Sequence, residues 1–298
     1  MAEVMAYRRA HGISDTIGAV ILNIFLVGSA IVCFLPLLHV IATSLSSNTA
    51  ANANQVGIIP VGFNVKAYAE AFRDTKMILS MLISMERIII GVPFTMLITI
   101  LCAYPLSHFS KDFPLRKFYS AMIVFTMLFN GGLIPTYILM TRLHLMNSIW
   151  ALVLPGAVPV FNIVIMMNFF RQIPREMQEA ASIDGADHFS ILIKVMLPMS
   201  GAVMATLTLF CFVFHWNAWF DALIFMKDTA KYPLQNYMRT QIINMAVTDI
   251  EEARRQLELS KRALLFAKLF VSMIPIIVIY PFLQKYFKTG IVIGAVKG

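Results

Sequence analysis

The sequence predicts an all-α integral membrane protein with six transmembrane helices, on the evidence of its composition and of the distribution of its apolar residues. Of the 298 residues, 59% are hydrophobic and only 13% are charged, and the mean hydropathy is +0.75. A soluble domain carries about 25% charged residues, so this deficit excludes an ordinary soluble fold. Apolar runs long enough to cross a bilayer recur along the chain, since one span needs about 20 mostly apolar residues.

The apolar runs define six predicted spans. They are Ile17–Ala42, Met77–Leu106, Lys117–Met140, Ile149–Phe170, Met199–Met226 and Ala263–Phe287. The chain then has an N-terminal segment (residues 1–16), a six-helix transmembrane domain (residues 17–287) and a C-terminal tail (residues 288–298). The first run is longer than the roughly 7–15 apolar residues of a secretory signal peptide, so we expect an uncleaved span. Because six is even, both termini lie on one side of the membrane.

The net charge of +8 comes from basic residues beside the predicted spans. Because their position explains the charge, we expect no nucleic-acid partner. One side of the membrane receives Arg8, Arg9, Lys111, Arg116, Lys117, Arg171, Arg175, Lys194, Lys285, Lys288 and Lys297. The positive-inside rule places these short segments, and both termini, in the cytoplasm. The opposite side holds a long segment, Lys227–Arg262, that is both basic and acidic and weighs less in this rule. Short helices are predicted there at Asp249–Lys261 and, in the other outer segment, at Val65–Phe72.

Sequence motifs for catalysis, metal binding and nucleotide binding are absent. Cys33, Cys102 and Cys211 lie singly in apolar runs, without the spacing of disulfides or metal ligands. The six histidines form no H-E-x-x-H pair, and no G-x-x-x-x-G-K-[ST] phosphate-binding loop occurs. We therefore expect no catalytic residue, no metal and no cofactor in this chain.

The most informative segment is residues 173–198, a polar interruption between two predicted spans. Pro174 suits the first position of a helix, where its missing N–H has no consequence, and Gly185 can adopt the positive φ that ends a helix. A second helical run, Ala186–Met196, then leads into the fifth span. Such a helix–bend–helix is either an amphipathic connector on the lipid headgroups or a docking element for another protein.

The spacing within this segment resembles a known family motif. The segment reads Glu179-Ala180-Ala181, three further residues, Gly185, nine further residues and then Val195-Met196-Leu197-Pro198. This resembles the EAA loop of ABC importer permeases, E-A-A-x3-G-x9-I-x-L-P, with valine where isoleucine is usual. In that family the loop contains a coupling helix that docks in a cleft of the ATPase subunit. The resemblance implies the following coupling residues: Glu176, Glu179, Ala180, Ala181, Asp184, Gly185, Leu197 and Pro198.

Other segments resemble carbohydrate permeases of the maltose type, in the branch named for aldouronate and containing the alginate importer. The matching segments are Phe129–Tyr137, His215–Leu223, Tyr232–Gln235, Tyr280–Phe287 and Gly294–Gly298. The resemblance implies a type I ABC importer permease fold in a bacterial cytoplasmic membrane, forming half of a translocation pathway that works by alternating access.

The resemblance also implies the partners. They are a homologous second permease subunit, an ATPase dimer that binds ATP and Mg²⁺, the lipid bilayer, an extracytoplasmic solute-binding protein and an oligosaccharide, for which Arg87 suggests an acidic sugar. The binding protein would deliver the substrate to the outer segments Ser44–Lys76 and Lys227–Arg262.

A charged residue at mid-bilayer costs about 2.5–3.5 kcal/mol, so charges inside a predicted span mark structural or functional sites. Glu86 and Arg87 lie about ten residues into the second span. Adjacent helical residues point about 100° apart, so these two need not pair with each other. Arg87 either forms a structural ion pair with a neighbouring helix or subunit, or lines the translocation cavity, where its guanidinium would match a sugar carboxylate.

A second group of pathway candidates lies near the outer end of the fifth span. Its members are Trp216, Asn217, Trp219 and Asp221. Indole faces stack on sugar rings, while amides and carboxylates bind hydroxyls, and the alternative is an interfacial aromatic belt. Asn130 is a further pathway candidate, although the adjacent Gly131-Gly132 favours a helix bend or a close helix contact there.

Two other classes of function stay open on the residues alone. A secondary transporter driven by an ion gradient predicts proton- or sodium-relay residues and internal symmetry, and neither is evident. An intramembrane enzyme needs a Ser/Lys pair, an Asp pair or a His-rich metal constellation at matching depths, and the sequence offers none.

Overall fold

The regular structure is helical, without β-strands among the described residues. The structure is a computed structural model that describes residues 13–108, 113–247 and 262–295, with side chains for residues 18–108, 113–243 and 262–281. The α-helices are α1 Ile13–Ser44, α2 Asn48–Asn52, α3 Lys66–Arg73, α4 Thr75–Ser107, α5 Arg116–Leu128, α6 Leu133–Arg142, α7 Ile149–Val153, α8 Val160–Gln172, α9 Arg175–Ile183, α10 His188–Ile191, α11 Leu197–Met199, α12 Gly201–Asn217, α13 Phe220–Phe225, α14 Leu234–Val247 and α15 Arg262–Ala295. Between them lie 3₁₀ turns at Leu154–Gly156 and Thr229–Lys231 and a π-helical segment at Leu192–Met196.

Three of the described helices are long and apolar enough to cross a membrane by themselves. They are Gly18–Ser44 within α1, Thr75–Ser107 (α4) and Arg262–Pro281 within α15. Three further candidates are bent pairs: α5 with α6 at 111°, Ile149–Gly156 with α8 at 53°, and His188–Met199 with α12 at 86°. The predicted all-α membrane class is confirmed, and the six predicted spans overlap these three helices and three bent pairs.

The third predicted span, Lys117–Met140, is not one continuous helix, because α5 and α6 meet at a 111° bend. Gly132 has φ +90°, a conformation that residues with a Cβ rarely adopt. The Oδ1 atom of Asn130 accepts a hydrogen bond from the Gly132 N–H at 2.9 Å, which closes the turn. The bend expected beside Gly131-Gly132 is therefore confirmed.

The fourth and fifth predicted spans are also interrupted. The chain bends by 53° at residues 157–159, where Pro159 lacks the N–H that a continuing helix would need. The fifth span, predicted as Met199–Met226, consists of α12, which ends at Asn217, and the separate short α13. The sixth was predicted to end at Phe287, whereas α15 continues to Ala295, into the predicted tail.

The chain divides into two compact units, of which the first consists of residues 1–73 and 245–271. Four small side chains form a buried cluster in this unit, and they are Ala51, Ala67, Ala263 and Ala267. Their size lets α2 and α3 pack closely on the first turns of α15. The hydroxyls of Ser44 and Tyr68 share a hydrogen bond of 2.7 Å at the end of α1. The short helix expected at Val65–Phe72 is observed as α3.

The second unit consists of residues 74–244 and 272–298, and α4 organises it by packing against α8 and α12. The buried face of α4 carries small hydroxyl residues among apolar ones, namely Ser80, Ser84, Thr95 and Thr99. The Ser84 hydroxyl accepts a hydrogen bond from the Leu234 N–H at 2.8 Å, which joins the start of α14 to α4. This unit contains the predicted coupling residues and the predicted pathway residues.

Some sequence expectations fall outside the described residues. They concern the charged helix at Asp249–Lys261 and the basic residues Arg8, Arg9, Lys111 and Lys297.

Candidate functional site

The segment predicted to couple to a partner forms a helix, a sharp bend and a second helix. α9 begins at Arg175, with Pro174 at the capping position directly before it rather than at the first helical position. Gly185, at φ +83°, follows the end of the helix in a conformation that ends helices. The Asp187 carboxylate then caps α10 by accepting a hydrogen bond from the Ser190 N–H at 3.2 Å. The predicted helix–bend–helix is therefore observed.

The second half of this segment differs in detail from the single run predicted at Ala186–Met196. α10 is followed by the π-helical segment and then by α11. Met196 is fully buried, and its carbonyl accepts a hydrogen bond from the buried Ser200 hydroxyl at 2.7 Å. Leu197 is half-buried and Pro198 is exposed. A π-helical turn is an uncommon distortion that concentrates at functional sites.

No residue of α9 is buried within the chain. The predicted coupling residues of this region that are exposed are Glu176, Glu179, Ala180, Asp184 and Gly185, while Ala181 is half-buried. Two large apolar side chains are also exposed, Ile183 at 86% and Phe189 at 62%. Large apolar side chains that are this exposed among polar residues are unfavourable in water and are expected to be covered by a partner. We call α9, the bend and α10 the coupling segment.

Arg87 lies in the interior of the second unit, with 0% of its side chain exposed. Its guanidinium forms an ion pair with Asp221, in which Nη1 donates to Oδ1 at 3.2 Å and Nη2 donates to Oδ2. Nη2 also donates to the Leu152 carbonyl at 2.8 Å, and Nη1 to the Ala218 carbonyl at 3.4 Å. Both carbonyls lie where a helix ends, so they lack helical donors. Arg87 therefore links the ends of α7 and α12 to α4.

His215 is the last member of this cluster, and its hydrogen bond with Arg87 determines its tautomer. The Arg87 Nε–H donates to His215 Nδ1 at 3.4 Å, so Nδ1 carries no proton. The proton is then on Nε2, which lies 3.2 Å from the Thr95 hydroxyl and can donate to it. Gly91 lies against this ring, since a Cβ at that position would be 2.8 Å from two ring atoms. The neutral imidazole is therefore held between α4 and the guanidinium.

The tryptophans of the fifth span are occupied by contacts within the chain. Trp216 is 1% exposed, stacks on Phe212 at a centroid distance of 6.2 Å, and donates its Nε1–H to the Ser272 carbonyl at 3.2 Å. One face of Trp219 is covered by the Arg239 guanidinium at 3.5 Å, within the range of a cation–π interaction.

The structure thus separates the predicted pathway residues into two groups. Arg87, Asp221, Trp216 and Trp219 make contacts with other helices, whereas Glu86, Asn130 and Asn217 are exposed. Arg87 occupies the ion pair with a neighbouring helix, one of the two alternatives left open by the sequence. Contact of any of these residues with a substrate stays a prediction.

Sequence reasoning missed two participants. No role was predicted for His215 beyond its segment's resemblance to the family. The signal was a polar residue within an apolar run, directly before Trp216. Arg239 had no such signal, because it lies in a mixed outer segment and meets Trp219 only through the fold. Among the described residues no group of three or more His, Cys, Asp or Glu side chains could hold a metal ion.

Comparison with known proteins gives consistent results. The family model described as "Binding-protein-dependent transport system inner membrane component" matches residues 4–293. The polygalacturonan/rhamnogalacturonan transport system permease protein YtcP of Bacillus subtilis (strain 168) is 36% identical over 276 residues, which is 92% of this chain and 96% of the relative. Protein LplC of the same organism is 35% identical over 277 residues, 92% of this chain and 93% of the relative.

A solved structure agrees with these relatives. The crystal structure of a bacterial ABC transporter involved in the import of the acidic polysaccharide alginate matches with a TM-score of 0.84 and 30% identity, over 93% of this chain and 99% of the other. The fold is therefore that of a type I importer permease, and the location is the inner membrane. The chain belongs to the family of binding-protein-dependent transport system inner membrane components, as a multi-pass permease subunit of a carbohydrate ABC importer.

Proposed function

We propose that this permease couples ATP hydrolysis by a separate ATPase to the import of an acidic oligosaccharide, and that the coupling segment transmits the force. Family membership favours an ABC importer over the ion-gradient transporter and the intramembrane enzyme, and it implies a second permease subunit, an ATPase and a solute-binding protein. The observation that carries the proposal is the exposure of the coupling segment, where a helix with no buried residue presents Ile183 beside polar side chains.

The coupling segment is built to transmit displacement. Moving an equilibrium between two states from 1:99 to 99:1 takes about 5.5 kcal/mol of differential free energy. A surface helix can deliver this only if it is joined rigidly to the spans at both ends. α9 follows α8 after a short connection, and the chain beyond α10 is anchored by buried Met196 and Ser200 before α12 begins. Movement of α9 would therefore displace α8 and α12, which both pack on α4.

The exposed surface of the coupling segment also suggests how the ATPase would contact the permease. Ala180 offers little side chain, so an ATPase surface can approach the backbone of α9 closely, and Glu179 would pair with a basic residue of that surface. ATP and Mg²⁺ would be bound by the ATPase dimer. Both termini and the coupling segment lie in the cytoplasm in this scheme, by the positive-inside rule.

The substrate class rests on the relatives. The Bacillus permease is named for polygalacturonan and rhamnogalacturonan, and the structural relative imports alginate, so both handle acidic polysaccharides. We propose an oligosaccharide that contains uronate residues. Its carboxylates would be recognised first by the solute-binding protein and then in the pathway between the two permease subunits.

The decisive experiment measures ATP-dependent uptake and ATP hydrolysis by the whole complex in proteoliposomes, for the wild type and for Gly185→Pro. Proline holds φ near −65° and cannot adopt the +83° found here, so the bend must change. We expect the complex to assemble and hydrolyse ATP while uptake is lost. The control is Gly201→Ala, at a glycine with free space around it. Normal uptake by Gly185→Pro would refute force transmission through this segment.

The substrate proposal has its own test. The cognate binding protein is titrated with uronate oligosaccharides and with neutral oligosaccharides of equal length, and ligands that bind are tested for ATP-dependent uptake. We expect binding and uptake of the uronate series. Uptake of the neutral series alone would contradict the acidic substrate while leaving the coupling proposal intact.

A further inference from the structure

A cleft of about 480 Å³ lies behind the coupling segment, between α9 and the C-terminal ends of α4 and α8. Its volume falls in the range of small-molecule sites, about 300–1,000 Å³. The lining includes Tyr104, His108, Arg171, Arg175 and His188. The cleft touches both the coupling helix and the two spans that the helix would move, so a ligand there would connect the moving parts.

Tyr104 provides a buried donor without a partner. Its residue is 8% exposed, and its hydroxyl has no hydrogen-bond partner among the described residues. The ring is held edge-on by His108 at a centroid distance of 4.7 Å and by Phe170 at 6.2 Å. A buried hydroxyl that is left unpaired is unfavourable, and an acceptor atom of a ligand in the cleft would satisfy it.

The charges around the cleft favour an anion. Arg171 is held beside the end of α4 by a hydrogen bond from Nη2 to the Leu106 carbonyl at 3.0 Å. His108 donates its Nδ1–H to the Tyr104 carbonyl at 2.9 Å, which fixes the orientation of the ring at the end of α4. Against the two arginines stand Glu179, the one carboxylate among the lining residues, and Asp187, which lies outside the lining and acts electrostatically on Tyr104.

We propose that this cleft binds a phosphate group, carried either by a small soluble phosphate compound or by the headgroup of an anionic lipid. Several acceptor oxygens on one centre match the phenol donor of α4 and the two guanidinium groups of α8 and α9 that line the cleft. The cleft exceeds the size of a bare ion, which favours a phosphate ester. Bound there, the ligand would clamp α9 to α4 and α8 and so set how firmly the coupling segment is held. This consequence rests on the proposed function, whereas the binding does not.

The test uses the complete importer, without nucleotide, in nanodiscs. In one arm the nanodiscs contain only phosphatidylcholine, and inorganic phosphate is titrated against chloride at constant ionic strength. In the other arm no phosphate is added, and phosphatidylglycerol replaces part of the phosphatidylcholine. The thermal midpoint of the complex is the readout in both. The variants are Tyr104→Phe and Arg175→Gln, and the matched control is Lys194→Gln, which removes an exposed charge outside the cleft.

Tyr104→Phe removes only an unpaired hydroxyl, so the thermal midpoint without ligand should stay equal or rise. The phosphate concentration at half-effect should rise about tenfold in this variant, the loss expected for one hydrogen bond to a charged group. Arg175→Gln should weaken binding at least as much, and Lys194→Gln should not.

A response in the phosphate arm identifies a soluble ligand, and a response in the lipid arm identifies a headgroup. A response in either arm supports the proposal if that response is weaker in Tyr104→Phe than in the wild type. Equal responses of all variants in both arms would overturn it and would indicate that phosphate acts elsewhere, for example on the ATPase. A lowered midpoint of unliganded Tyr104→Phe would also overturn it, because the hydroxyl would then have a partner within the protein.

Discussion

Arg87 illustrates how this protein accommodates a charge inside a membrane-spanning helix. A lone arginine at mid-bilayer would be costly, but here the guanidinium is fully buried and donates to Asp221 and to two backbone carbonyls. The carbonyls of Leu152 and Ala218 are exposed to the interior because α7 and α12 end there. Non-helical backbone at membrane depth is tolerated only where such donors satisfy it, so the charge and the helix breaks depend on each other.

Breaking the ion pair should be strongly destabilising. Arg87→Met or Asp221→Asn removes one partner of a buried pair, and we expect each to lower the free energy of unfolding by about 3–5 kcal/mol. The double variant Arg87→Met/Asp221→Asn removes both charges and should cost less than the sum of the single changes. Unfolding in mixed micelles measures the free energy of unfolding of each variant in this double-mutant cycle. Glu86→Gln is the control at the adjacent exposed position, expected within about 0.5 kcal/mol of wild type. Additive single effects would contradict a direct pair.

The contact between Gly91 and His215 gives a second prediction at this scale. A Cβ on residue 91 would lie 2.8 Å from the ring of a histidine that is 1% exposed, so Gly91→Ala must displace the imidazole that receives the Arg87 Nε–H. We expect a loss of about 1–3 kcal/mol from overpacking, measured as above. Gly28→Ala is the matched change, at a helical glycine with no atom within 4 Å. Its effect should be neutral or stabilising by up to about 1 kcal/mol. Equal effects at both positions would show that the histidine moves freely.

At the scale of elements, the interruptions of the helices matter more than their lengths. Three candidate spans are bent by 53° to 111°. Two of these bends have a local cause, namely the positive φ of Gly132 and the missing N–H of Pro159. The coupling segment uses the same devices, with Gly185 ending α9 and Asp187 beginning α10. Its orientation is therefore determined by the backbone of a few residues.

The cap at Asp187 predicts a pH-dependent stability of α10. The pKa of Asp187 is held below its ordinary value, first by the hydrogen bond from the Ser190 side chain and next by the one from the Ser190 N–H. Because the native pKa is the lower one, the cap contributes fully above the ordinary carboxyl pKa and is lost as the pH falls below it. Asp187→Ala should speed amide exchange of residues 189–192 at neutral pH, and the difference from wild type should shrink on acidification.

Hydrogen–deuterium exchange, corrected for the intrinsic rate at each pH, measures this effect. Asp184→Ala is the control, since Asp184 follows the end of α9 and makes no N-terminal cap. Unchanged exchange of residues 189–192 in Asp187→Ala at neutral pH would contradict the role of this carboxylate.

At the scale of the whole molecule, the chain leaves apolar surface for partners and lipid. Residues 18–36 of α1 are exposed, as expected for a span that meets lipid or a sister subunit. The coupling segment also exposes apolar side chains, but it lies in a polar interruption rather than in a span. Such a surface is unfavourable in water and is expected to be covered in the assembled importer.

This surface predicts the effect of a charge on assembly. Ile183→Glu places a carboxylate at the most exposed apolar position of α9, and we expect loss of the ATPase from the purified complex. Ile59→Glu is the matched control, at an apolar residue that is 76% exposed in the outer segment, and should leave ATPase retention unchanged. Co-purification of a tagged permease measures both. Full ATPase retention by Ile183→Glu would mean that the coupling segment is not the docking surface.

The membrane class, the approximate spans and the coupling segment could be predicted from the sequence, because each depends on local properties. Hydropathy over about 20 residues indicates a span, and a helix–glycine–helix is written in consecutive residues. The partner of Arg87 could not be predicted, because Asp221 is 134 positions away and two alternatives were equally consistent with one buried arginine. Three other features could not be predicted because they too depend on contacts between distant segments. They are the burial of Trp216, the contact of Arg239 with Trp219 and the cleft beside Tyr104.

The sequence by itself determined that this chain crosses the membrane and which segment resembles the coupling element of an importer. The tertiary structure alone decided which charges are paired, where spans break and that the Tyr104 hydroxyl lacks a partner among the described residues. The physical reason is that apolar length and turn residues act over neighbouring positions, whereas ion pairs, helix contacts and clefts depend on which distant segments the fold brings together.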